Sequence, residues 1–186
     1  MRSVSAVLLG LMLCTTPAMA ADTLGFSWLG ASFGTLRPEQ GARGHAETLT
    51  LGYALSDQAF MYADGDAQHF DTADLRRYDF GVGINSDPAA GYVVFATVGW
   101  NNLGVDAAPA GRRRHGFDAS AGVRALLAPH WEVYARARYT HNPLAGASSD
   151  GAAGVRYQFT PSLSLDLGVD VAPEQTAWRL GLRLYY

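Results

Sequence analysis

The closing stretch Trp178-Arg179-Leu180-Gly181-Leu182-Arg183-Leu184-Tyr185-Tyr186 (WRLGLRLYY) decides the fold. In an extended chain, Trp178, Leu180, Leu182, Leu184 and Tyr186 share one face. Ala177, Arg179, Gly181, Arg183 and Tyr185 share the other. A period of two marks a strand rather than a helix. One face is aliphatic with an aromatic residue at each end; the other carries arginine and glycine.

The same pattern recurs back along the chain. Strands are expected over about 22–33, 45–55, 58–65, 75–85, 91–101, 116–127, 130–141, 151–159 and 162–171, followed by the closing segment. The facing of 58–65 is left open by its residues. The connections alternate in length. Ser56-Asp57-Gln58, Asp87-Pro88-Ala89-Ala90, Ala128-Pro129-His130 and Thr160-Pro161-Ser162 are tight turns, whereas 34–44, 66–74, 102–115 and 142–150 are longer and polar or glycine-rich. Short turns at one end and long loops at the other are the layout of an outer-membrane barrel. The expected fold is all-β: a transmembrane antiparallel up-and-down barrel of ten strands, with eight as the alternative.

Soluble barrels alternate too, so two further features decide. First, the apolar face is bracketed by rings: Tyr92 and Trp100, Trp131 and Tyr139, Trp178 and Tyr186, with aliphatic residues between. Each bracket covers roughly 26 Å of strand at ~3.3 Å per residue, or about 20 Å of depth once the strand tilts. Amphipathic rings at both edges of an aliphatic band suit a bilayer and have no purpose in a soluble core. Second, the opposite face is small or charged. Asp118, Arg124, Glu132, Arg136, Arg138, Arg156, Asp166, Asp170, Arg179 and Arg183 fall there, an expected lumen network of paired charges.

The phrases GVRALLAPHWEVYARARY (Gly122–Tyr139) and GVRYQFTPSLSLDLGVDV (Gly154–Val171) resemble those of small Gram-negative outer-membrane barrels of the OmpA/OmpX-like group, most of all xanthomonad-type members. The resemblance implies integration in the bacterial outer membrane, contact with its lipid and lipopolysaccharide, and recognition of the terminal Tyr186 by the barrel assembly machinery. It is specific for architecture and silent on activity, because such barrels host many functions.

The start of the chain reads differently. Arg2, an apolar run from Val4 to Cys14 and Ala18-Met19-Ala20 form a secretory signal pattern, so 1–20 is expected to be cleaved and 21–186 to form one barrel domain. Cleavage would remove the only cysteine, leaving no thiol for a disulfide or a metal. All cationic side chains are arginine, and the net charge of −3 argues against nucleic acid as a partner. No cofactor is expected.

Three stretches invite a sharper reading. Arg138-Tyr139-Thr140-His141-Asn142-Pro143 resembles the motif of outer-membrane lipid A deacylases, but Pro143 stands where their nucleophilic serine falls. His141 is therefore a weak catalytic candidate, with Ser148 and Ser149 as distant substitutes. Asp64-Gly65-Asp66 with His69 and Asp71 resembles the acids at the mouth of ten-stranded outer-membrane proteases but lacks the Asp-His partner; a solvated loop or weak divalent-cation binding is expected. Arg112-Arg113-Arg114-His115 is placed in the longest loop, where arginine forks suit lipopolysaccharide phosphates. The expected function is a non-enzymatic envelope protein acting through its loops, with a narrow channel and a lipid A-modifying enzyme as alternatives.

Overall fold

The computed structural model describes residues 24–39, 43–70, 74–88, 91–106 and 112–186. The signal segment 1–20, Cys14 and Asp71 lie outside the described residues. The chain forms β1 (Trp28–Pro38), β2 (Gly44–Ser56), β3 (Ala59–His69), β4 (Asp74–Asn85), β5 (Tyr92–Asp106), β6 (Arg112–Ala128), β7 (Trp131–Asn142), β8 (Gly146–Thr160), β9 (Leu163–Ala172) and β10 (Gln175–Tyr185). Each pairs antiparallel with the next, and β1 pairs with β10 from Trp28↔Tyr185 to Pro38↔Gln175. The sheet therefore closes on itself with ten strands, not eight. Closure leaves no unpaired strand edge facing hydrocarbon.

The facing follows the alternation. Tyr92, Trp100, Trp131, Tyr139, Trp178 and Tyr186 all project outward, 40% to 64% exposed, with Val94, Val98, Leu180 and Leu182 exposed between them. A continuous exposed apolar band of this kind is a lipid-facing surface. β3 also resolves: Phe60, Tyr62 and Asp64 turn inward and Met61 outward. Three ladders shift register, at Ala54/Ser56, Leu126/Ala128 and Gln158/Thr160. All three shifts lie beside tight turns, where one extra residue lets the chain reverse.

Two expectations need correction. The first strand begins at Trp28 rather than near residue 22, because Leu24 and Phe26 leave the wall and sink into the lumen, 2% and 7% exposed. These two residues are apolar, and the lumen offers them rings to pack against. The long polar loops are also mostly strand. β3 runs on to His69, β5 to Asp106, and β6 already starts at Arg112; β7 and β8 are joined by 143–145 alone. Polar side chains at this end do not interrupt the ladder, since an extended backbone keeps its hydrogen bonds whatever lies on its two faces. Gly146, with φ 78°, takes the left-handed conformation that the tight β7–β8 reversal requires.

Candidate functional site

The lumen is built from aromatics seated on glycines. Trp28 of β1 lies against Gly52 of β2, Phe60 of β3 against Gly83 of β4, and Tyr62 against Gly81. Phe95 of β5 lies against Gly122 of β6, and Tyr134 of β7 against Gly154 of β8; a Cβ on any of these glycines would come within 3 Å of the facing side chain. The inward glycines thus leave room for rings that a ten-stranded barrel could not otherwise hold. At the short-turn end, Phe26 stacks on Phe60 at 4.2 Å and meets Phe95 edge-on at 6.0 Å. Leu24, Phe26, Phe60 and Val93 form a buried apolar cluster there, so the segment 24–27 fills this end of the lumen.

A chain of charges lies directly above the cluster. Arg124 of β6 donates through Nε (2.8 Å) and Nη2 (3.0 Å) to the two carboxylate oxygens of Glu132 on β7. Arg156 of β8 donates to Glu132 as well, and through Nη2 to Asp166 of β9 at 2.7 Å. The Tyr134 hydroxyl donates to the other Asp166 oxygen at 2.8 Å. Arg124 also donates to the Leu24 and Gly25 carbonyls at 3.2 and 3.0 Å, and its guanidinium lies 5.2 Å from the Phe26 ring. The wall thus grips the inserted segment. Every charge in this chain meets an opposite one, which is the condition for burying ions at tolerable cost.

Toward the long-loop end, Arg138 of β7 reaches Asp150 of β8 at 3.0 Å and Asp79 of β4 at 3.3 Å, so one ion pair bridges across the lumen. Arg77 pairs with Asp79 and Arg179 with Asp170. Asn142 donates to Asn101 at 2.7 Å. Between the two ends lies a cavity of about 160 Å³, lined by Asp64, Asp118, Arg136 and Arg183 among others. Asp118 accepts from the Tyr62 hydroxyl at 2.9 Å through one oxygen; the other has no hydrogen-bond partner among the described residues. The Arg183 guanidinium lies 4.8 Å from the Trp28 ring.

The ten network residues expected from the sequence all face this lumen. Tyr62, Asp64 and Tyr134 belong with them beyond the expected set, as does Tyr185, which alternation places on the arginine face. For Tyr134 the signal was present, since it alternates in step with Glu132 and Arg136. Tyr185 lies within 3.2 Å of Arg156.

The other candidates disperse. Asp64 and Asp66 belong to β3 rather than to a loop, with Asp66 accepting from Thr48 at 3.1 Å. His69, on the outer face, bonds Asp74 at 3.0 Å, so these residues do not converge. His141 lies on the outer wall against the Phe117 ring at 5.4 Å. Its partner across the ladder is Ala147, while Ser148 and Ser149 pair with Thr140 and Tyr139. No hydrogen bond joins His141 to either serine among the described residues. The run Arg112–His115 is the first part of β6, not a loop. Alternation sends Arg113 and His115 outward and places Arg114 on the opposite side.

With this geometry in hand, residues 6–159 match the family model described as outer membrane protein beta-barrel domain. The chain belongs to that family, which makes it an integral outer-membrane β-barrel. Solved structures are similar to the chain at low sequence identity. The NanC porin is 9% identical with a TM-score of 0.51, over 85% of this chain and 100% of its own. An outer-membrane channel of Pseudomonas putida F1 is 10% identical with a TM-score of 0.49, over 92% and 100%. Neisserial surface protein A is 14% identical with a TM-score of 0.41, over 86% and 95%. No curated protein sequence matches the chain.

Proposed function

We propose that this barrel is a non-enzymatic envelope protein that acts from its outer wall and extracellular rim, its lumen serving as a packed core rather than a passage. The supporting observation is the occupied short-turn end, where the segment 24–27 and the Arg124–Glu132–Arg156–Asp166 chain span the bore from wall to wall. Lipid and lipopolysaccharide are its nearest partners. The segment 1–20 directs export and is removed before membrane integration, and assembly follows recognition of Tyr186. The test is single-molecule conductance in a planar bilayer. The purified barrel is expected to stay electrically silent across ±150 mV, a range chosen because about 2.3 kcal/mol per charge per 100 mV strains any loose plug. Stable steps in the untreated protein would overturn the packed-core reading.

A second reading, a narrow channel, is favoured by the axial cavity of about 160 Å³. The same recording separates the two. The non-enzymatic part is tested by the mass spectrum of lipid A from cells overexpressing the protein. An unchanged spectrum is expected, and a mass loss abolished by His141→Ala would replace this reading with deacylation.

A further inference from the structure

We propose that the outer wall of β4, β5 and β6 carries a binding site for a lipid A phosphate, with Arg76 and Arg113 as its two cationic jaws. The proposal deepens the outer-surface reading above and rests on it.

Register builds the site. On the outward face Arg76 pairs with Gly104, and Gly104 pairs with Arg113. Two arginines therefore stand on strands two apart, with a glycine between them. Their backbones are separated by roughly 10 Å, twice the ~4.8 Å strand spacing. Glycine lets the Arg113 side chain lie low across the floor: a Cβ there would meet Arg113 Cγ at 3.5 Å and Nε at 3.6 Å, and the Arg76 carbonyl at 3.7 Å. Tyr78, Asn102, Gly104 and Asp106 complete a shallow groove with the two arginines. One row below, Asn102 Nδ2 lies 3.3 Å from His115 Nδ1, which adds polar groups at the lower lip.

Depth supplies the ligand. Phe80, Trp100 and Phe117 are register partners on the same three strands, and all project outward, with Trp100 64% exposed. They mark the outer aromatic edge of the lipid-facing band. Gly104 lies four residues beyond Trp100. At ~3.3 Å per residue and ~40° of tilt, that is roughly 10 Å above the ring row. A group at that height on the lipid-facing wall meets the phosphorylated glucosamines of the outer leaflet, not acyl chains and not free solvent. Guanidinium forks hold phosphate oxygens two at a time, which a lysine could not do.

The charges around the groove permit this. Asp106 lies 3.8 Å from Arg76, but both side chains are about half exposed, 46% and 47%. An exposed pair at that distance is weak and leaves the guanidinium edges available. Asp74, the register partner of Asp106, is already bonded to His69. Arg113 makes no ion pair among the described residues. Among the described residues of the same face, Glu47 is on β2 and is separated from Arg76 by Ala67.

The experiment uses the full barrel, refolded in detergent and titrated with three probes: bisphosphorylated hexa-acyl lipid A, the same lipid lacking both phosphates, and inorganic phosphate. Native mass spectrometry reads bound lipid. The Arg76→Gln/Arg113→Gln double variant is expected to lose tenfold or more in lipid A affinity. Arg37→Gln, which removes an exposed outer-wall arginine on β1, stays within twofold. Asp106→Asn binds at least as well as the parent. The dephosphorylated lipid binds the parent as poorly as the phosphorylated lipid binds the double variant, and inorganic phosphate alone binds more than a hundredfold less tightly than lipid A. Equal loss in Arg37→Gln and the double variant would make the effect one of bulk charge and overturn the site. Unchanged binding in the double variant would also overturn it. Gel mobility with and without boiling is run on each sample. A parent that shifts on boiling and yet fails these tests loses only this site, whereas a parent that neither shifts nor retains any lipid loses the membrane-surface reading itself.

Discussion

At the short-turn end of the lumen one carboxylate, Glu132, is shared by Arg124 and Arg156; toward the rim one carboxylate, Asp79, is shared by Arg77 and Arg138. The chemistry is the same and the surroundings are not. Around Glu132 the ions are sealed by Phe26, Trp28 and Phe60 and by an inserted piece of main chain, and the arginine and glutamate side chains are 4% to 6% exposed. Near the rim the shared Asp79 is itself buried, 3% exposed, but Arg138 has two acids with its side chain 10% exposed and Arg77 is 26% exposed. The inner half is sealed around its ions, with Arg156 holding both Glu132 and Asp166. The outer half shares charge in the same way but is wetter at its arginines. Loss of one member should be severe in the first and mild in the second.

The sharpest way to break that contrast is Glu132→Gln. Arg156 keeps Asp166 at 2.7 Å, but Arg124 is left against a neutral amide in a sealed end, a loss expected to cost about 3–5 kcal/mol. Urea unfolding of the barrel in lipid vesicles measures it. A cost under about 1 kcal/mol would mean that water reaches this end and that the seal is not real.

Phe26→Ala comes next. It removes the ring that stacks on Phe60 and lies beneath Arg124, at an expected cost of about 3 kcal/mol for a buried phenylalanine. It also loosens the segment 24–27, so current noise in a planar bilayer should rise while Glu132 remains paired. Stability loss without any change in current would show that the ion pairs alone occlude the bore. Gly83→Ala probes the same end from the wall. Its methyl would meet the Phe60 ring at less than 3 Å, and overpacking of that kind costs about 2 kcal/mol. If the variant is as stable as the parent, Phe60 is free to swing away and the aromatic stack is not the seal.

The outer face was readable from the chain because lipid imposes one rule on every strand. Tyr92, Trp131 and Trp178 sit where alternation and ring placement put them, and so do the arginines behind them. What escaped has a common cause. Phe26, Phe60 and Phe95 break the expected small-or-charged character of the lumen, since a ring turned inward looks locally like a register error. Only the glycines across the ladder, Gly83 and Gly122, explain them, and those belong to other strands. The arginine run was misplaced for a similar reason. Arg113 and Arg114 look like solvated loop in one dimension, yet pairing with Gly104 and Leu103 extends the wall and sends them to opposite sides. Arg76 could be recognised as the partner of Arg113 only once β4, β5 and β6 were aligned. Local pattern reports which solvent a face meets; it does not report which residue stands two strands away.

The smallest effect is the one that tests redundancy. Asp150→Asn removes a carboxylate that accepts from Arg138 Nε through both oxygens, at 3.0 and 3.2 Å. Arg138 retains Asp79 through Nη1 at 3.3 Å, and an asparagine carbonyl can still accept one bond. The expected cost is about 1 kcal/mol, that of one weakened hydrogen bond rather than of an orphaned ion. Making the same change in an Asp79→Asn background removes the second acid, and the pair of substitutions should then cost more than the sum of the two alone. Strict additivity would mean that Arg138 never shared its charge between the two walls. A loss on Asp150→Asn as large as that on Glu132→Gln would mean that the rim is sealed as tightly as the base, and the distinction between the two halves would fall.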